Sequence, residues 1–146
     1  MSIFRLVAGS LGFACGTIAL APIAIPARAA ESFPFEQTLM LDVKPMLPVK
    51  RVPIMTVESN GDATIGLWCK TVRGRVAVST TEIKIEAAPL PDDLPQYMVD
   101  GQCTDERVKA DADTLAALTQ VTAWLAQGGA IVLTGATQLK FRPSSN

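Results

Sequence analysis

The sequence predicts a mainly β domain with one α-helix, placed behind an N-terminal export signal. Three observations carry this: short apolar segments that alternate with period two, an Asn-Gly turn between two β-forming runs, and a single capped helical stretch. The chain has 146 residues, the usual size of one domain.

Residues 1–29 read as a secretory signal. Arg5 supplies the positive n-region, Leu6 to Ile25 contains no charge, and Ala27-Arg28-Ala29 is a small-x-small site that sets cleavage between Ala29 and Ala30. A retained membrane anchor is the competing reading, since the uncharged run nearly spans a bilayer; Gly9, Gly12, Gly16, Pro22 and Pro26 interrupt it. Cys15 follows Gly12-Phe13-Ala14, and a lipid on that cysteine is the minority alternative that would anchor the domain. The expected location is periplasmic or secreted, with residues 30–146 as the mature domain.

Cleavage removes Arg5 and Arg28 and no acid, which moves the net charge from −1 to −3. That balance provides no basic footprint for nucleic acid. Two cysteines then remain, Cys69 and Cys103, and outside the cytoplasm a disulfide is their expected state. No histidine is present anywhere, so a four-ligand zinc site would need carboxylates, and Ser-His-Asp or Cys-His catalysis is excluded. No cofactor is expected.

In chain order, Phe35, Gln37, Leu39, Leu41 and Val43 alternate against Glu36, Thr38, Met40 and Asp42, as in a half-buried strand. Pro45, Pro48 and Pro53 make the next stretch an extended connection with Lys50 and Arg51 exposed. Ile54–Glu58 and Ala63–Trp68 flank Asn60-Gly61 as a hairpin. Arg75–Ser79 and Glu82–Glu86 are two further strands, and residues 87–102 form a Pro/acid-rich surface loop carrying Tyr97 and Met98.

Thr104 followed by Asp105 and Glu106 starts a helix. Its predicted buried stripe is Val108, Ala112, Leu115, Ala116, Leu118 and Thr119. Two endings compete: a run to Gly128, or a stop near Gln120 followed by a hairpin of Val121–Leu125 with Ile131–Thr134 across Gly128-Gly129. Gln138–Arg142 is the last strand.

Gly66-x-x-Cys69-x-x-x-x-Gly74, two strands, a second cysteine, an acidic-started helix with Leu115-Ala116-Ala117-Leu118, then Gly-Gly and Leu139-x-Phe141-Arg142 form a distinctive order. It resembles the META domain, the HslJ-like heat-shock family of exported bacterial envelope proteins, over roughly Val52 to Arg142. Lys70 and Thr104 depart from that family, which usually has Asn and Pro there. The resemblance implies a strongly bent antiparallel sheet or small incomplete β-barrel with one packed α-helix, favours the hairpin ending with Trp124 as its aromatic, and implies a role in envelope stress without a catalytic activity.

Two carboxylate pairs, Asp92-Asp93 and Asp111 with Asp113, are candidates for acid/base chemistry, but their polar contexts read as solvated acids. Lys70, Arg73 and Arg75 beside Trp68 form a candidate interaction patch for an acidic partner or phosphorylated lipid headgroups, with an ordinary charged face as the competing reading. The expected protein is a monomeric, non-catalytic exported module that binds an envelope protein or another envelope component. Membrane contact is expected only if Cys15 is lipidated or the signal is retained. The alternative is a small apolar-ligand carrier with a cavity lined by Leu39, Ile65, Val76 or Ile83.

Overall fold

The computed structural model describes residues 32–94 and 101–145. The signal segment, Cys15, the cleavage position at Ala29 and Ala30, and the loop residues Tyr97 and Met98 lie outside the described residues. Among those residues there are eight strands and one α-helix. In chain order they are β1 (Thr38–Leu41), β2 (Ile54–Val57), β3 (Asp62–Gly66), β4 (Thr71–Val78), β5 (Ile83–Ala87), α1 (Asp105–Thr119), β6 (Ala123–Gln127), β7 (Ala130–Thr134) and β8 (Gln138–Pro143).

All eight strands belong to one antiparallel sheet in the order β5-β4-β3-β2-β1-β8-β7-β6. Its two ends approach each other. The Ile83 N–H donates to the Thr122 carbonyl (3.1 Å), the Trp124 N–H donates to the Thr81 carbonyl (2.9 Å), and Glu82 bridges Ala123. The sheet is therefore a nearly closed barrel with one seam between β5 and β6, and α1 packs on β5 there. Closure removes most of the unpaired strand edge that an open sheet would leave.

Alternation fixes which way the strands face. Leu39 and Leu41 of β1, Met55 and Val57 of β2, Ile65 of β3, Val76 of β4 and Ile83 and Ile85 of β5 all point inward. Trp124, Leu133, Phe141 and Leu118 complete one apolar cluster that receives a side chain from every strand and from α1. Leu39, Ile65 and Leu133 have no exposed surface at all. The first strand is shorter than its pattern predicts: Phe35 and Val43 are exposed, and Phe35 instead packs edge-on against Phe33 at 5.1 Å.

The helix starts where the cap predicts. Thr104 is its N-cap, and its Oγ1 accepts from the Arg107 N–H (3.3 Å). It ends at Gln120, and β6 and β7 form the hairpin, with Gln127 paired to Ala130. Gly128 and Gly129 both have positive φ (59° and 75°), which this two-residue turn requires.

The buried face of α1 is only partly the predicted one: Leu118 is in the core and Leu115 packs against it, but the face is turned toward two polar residues. Arg107, Asp111 and Leu118 are buried, whereas Ala112, Ala116 and Thr119 are exposed. The helix is rotated because Arg107 and Asp111, one turn apart, both bond to loops at the barrel end.

Gly135 is where the chain from the helix to β6 crosses the chain from β7 to β8. A Cβ there would collide with the Gln120 carbonyl oxygen and come within 2.7 Å of the Val121 Cα. Gly135→Ala is expected to lower stability by about 1–3 kcal/mol, because both obstacles are backbone. Equilibrium urea unfolding measures this, and a midpoint equal to wild type would show that the crossing is loose.

Candidate functional site

The polar chemistry of the domain gathers where the β3–β4 turn meets the start of α1. Cys69 in that turn is joined to Cys103 by a disulfide, with Cα atoms 5.8 Å apart. The same turn is held from below by Asp111. The Cys69 N–H donates to Asp111 Oδ1 (3.0 Å), and the Lys70 N–H donates to Oδ2 (2.9 Å). Two consecutive amides converging on one carboxylate form a small anion-holding nest, filled by the protein's own side chain.

Arg107, fully buried one helical turn earlier, grips backbone on two other segments. Its Nη1 donates to the Met46 carbonyl and to the Val49 carbonyl (3.1 Å), and its Nη2 donates to the Trp68 carbonyl (2.7 Å). The guanidinium lies 5.8 Å from the Trp68 ring centre, and the Trp68 Nε1 donates to Thr114 Oγ1 (3.2 Å). Among the described residues, Arg107 Nε has no hydrogen-bond partner. Arg107 and Asp111 together tie the β1–β2 connection, the β3–β4 turn and α1 into one junction.

Burial pushes the Asp111 carboxyl up from its ordinary value, against the amides of Cys69, Lys70 and Trp68 and the charge of Lys70, which pull it down. Burial likewise lowers the Arg107 guanidinium, and Asp111 partly offsets this. The sign for stability follows from the raised carboxyl. Between the ordinary carboxylate value near 3.8 and the raised folded value, the native state binds more protons than the unfolded chain. The contribution of Asp111 therefore becomes less favourable as pH rises through that window. Asp111→Asn removes this dependence, so wild type should gain stability relative to the variant as pH falls through it. Urea midpoints of both proteins across that range measure the difference, and parallel profiles would contradict it.

Two readings of the sequence are corrected here. Asp111 is not a solvated acid; only Asp113 is exposed, paired with Lys109 at 2.7 Å. The candidate patch is also divided. Trp68 and Lys70 are buried, and Lys70 Nζ donates to the carbonyl of Pro91 (2.5 Å) and reaches that of Asp92 at 3.5 Å. Arg73 and Arg75 remain exposed on the outer face of β4, with Arg75 at 3.6 Å from Asp62. The four residues thus share no exposed face, because the turn that precedes β4 tucks under α1.

Asp92 and Asp93 are exposed on the loop after β5. Among the described residues, no group of three or more Cys, Asp or Glu side chains is arranged to hold a metal ion. Leu39 and Ile65 lie in the packed core, while Ile83 also borders an open groove of about 720 Å³ at the seam, with Val78, Val121 and Gln120. Of the buried polar residues, Lys70 is a candidate in the sequence for an interaction patch and Asp111 only for an acid pair with Asp113, and Arg107 is not singled out. The spacing of Arg107 and Asp111 on one helical face was the available signal for the other two.

Among the described residues no helix is long and apolar enough to cross a membrane. No family model matches the chain, and no curated protein matches it. Among solved structures, a DUF4847 family protein from Bacteroides vulgatus ATCC 8482 is similar at a TM-score of 0.45 and 13% identity over 64% of this chain, and the chain covers 60% of that protein's length.

Proposed function

We propose that the protein is a non-catalytic, exported envelope protein of the META/HslJ-like type, a stress-related module that binds another envelope protein or maintains the envelope. One observation carries this reading. The buried polar side chains Lys70, Arg107 and Asp111 all bond to backbone and fix loops, and none of them lines the grooves formed by the described residues at the seam, beside β8 or along β4. The Cys69–Cys103 disulfide supports an oxidising compartment, and the order of motifs around it supports the family resemblance.

The test is cross-linking capture from envelope extract, comparing wild type with Arg73→Ala/Arg75→Ala. A defined envelope protein captured by the wild type at stoichiometric level supports a binding module. Turnover of an envelope substrate by the purified protein would overturn it. A small apolar-ligand carrier is the second reading, favoured by the seam groove bordered by Val78, Ile83 and Val121. Native mass spectrometry separates the two, since a carrier should retain a co-purifying lipid-like ligand and a binding module should not.

A further inference from the structure

The charge on this molecule is segregated. Lys50, Lys140 and Arg142 gather around one cleft that holds a single acid, Asp42, and Lys44 and Arg51 lie in the same β1–β2 connection as Lys50. The remaining described residues hold eleven acids against six cations, and two of those six, Lys70 and Arg107, are buried. Asp42 is shared between Arg142 (2.9 Å) and Lys140 (3.8 Å), so it neutralises only part of this group. The cleft is therefore a basic spot on a domain whose other described residues carry an acidic surplus.

The same cleft and connection expose apolar side chains. Leu47 is 80% exposed, Val43 42% and Met40 40%, and these are three of the five large hydrophobic residues exposed among the described residues. A single exposed leucine is ordinary. Here the leucine sits at the tip of a connection that is held in place, because Arg107 takes the carbonyls of Met46 and Val49 on either side of it. Beside the tip lies a cleft of about 400 Å³, lined by Met40, Val43, Lys50, Arg142 and Ser144.

We propose that this cleft and connection form a peripheral docking surface for an anionic phospholipid bilayer. Leu47 enters the boundary between headgroups and acyl chains, Lys44, Lys50, Lys140 and Arg142 face lipid phosphates, and the cleft beside Lys50 and Arg142 receives a headgroup. A bilayer suits the shape better than an acidic protein does. The apolar element is a projecting tip, which a lipid interface accepts anywhere but a protein partner must match with a pocket. This surface lies beyond the envelope-binding reading and does not depend on it. It is also distinct from Arg73 and Arg75 on β4.

The experiment is co-sedimentation of the exported chain, lacking residues 1–29, with two vesicle preparations. One is phosphatidylcholine alone, and the other is phosphatidylcholine with phosphatidylglycerol in equal parts. Binding is expected only to the anionic vesicles, and salt should weaken it. Lys50→Ala/Arg142→Ala should reduce partitioning by about 20-fold or more, at about fivefold for each cation removed. Leu47→Ser should reduce it by about tenfold, through the lost apolar side chain. Thermal melts of both variants should match wild type, since these side chains are exposed. Equal binding to both vesicles, or binding that neither variant changes, overturns the proposal. Absence of vesicle binding also overturns it, and Lys50- and Arg142-dependent retention on poly-glutamate would then assign the surface to an acidic protein.

Discussion

Arg107→Ala is expected to destabilise the domain by about 4–5 kcal/mol, of a total that for such domains is about 5–15 kcal/mol. The substitution removes the donors for three carbonyls, those of Met46, Val49 and Trp68, and takes one of two nearby cations, the other being Lys70, from the buried Asp111 carboxyl. It also takes away the cation from the face of Trp68. Urea unfolding followed by tryptophan fluorescence reads the loss directly, since Trp68 sits in the junction. Arg107→Lys should recover only part of it, because a single ammonium cannot reproduce the fork that reaches two segments at once. An alanine variant within about 1 kcal/mol of wild type would mean that these bonds contribute little beyond what solvent offers.

Loss of the Cys69–Cys103 disulfide is the second large effect. The cysteines are 34 residues apart in sequence, and opening that loop should cost about 3–4 kcal/mol in the chain-entropy description. Cys69→Ala/Cys103→Ala should therefore lower the urea midpoint, and reductant should lower the wild-type midpoint to a similar value while leaving the variant unchanged. The loosening should be local at first. Amide exchange at Cys69 and Lys70 should accelerate before exchange in β2 and β3, because the nest on Asp111 remains only while the turn stays seated. A wild-type midpoint indifferent to reductant would remove the staple from the account of stability.

The elements that depend on local chemistry were legible in the sequence. Asn60-Gly61 marks the β2–β3 hairpin and Thr104-Asp105-Glu106 marks the helix start, while Gly128-Gly129 with flanking β-branched residues favours the β6–β7 hairpin only slightly over a longer helix. The barrel-like closure came through family resemblance, not through periodicity, because a seam between β5 and β6 is a property of distant segments. β4 begins at Thr71, four residues before the alternating run from Arg75 that marks it in the sequence.

The junction was misread for a physical reason. Polar residues on a helix default to the wet face, and Val108, Ala112 and Ala116 offered an apolar alternative stripe. Arg107 and Asp111 are buried only because three loops bring backbone groups to them, and nothing within the helix encodes those loops. Lys70 was misread in the same way: its ammonium ends on the carbonyls of Pro91 and Asp92, which arrive from a segment about twenty residues later.

The neighbour relation of β1 and β8 constrains the order in which this molecule can assemble. Asp42 meets Arg142 across 100 residues of chain, and the Ser144 N–H donates to the Thr38 carbonyl (2.8 Å). On a ribosome or at a translocation pore, the first strand must wait with one flank vacant until the final one emerges. Native pairing is then a late, slow event, and the interval before it is when a chaperone would find the chain most in need of cover.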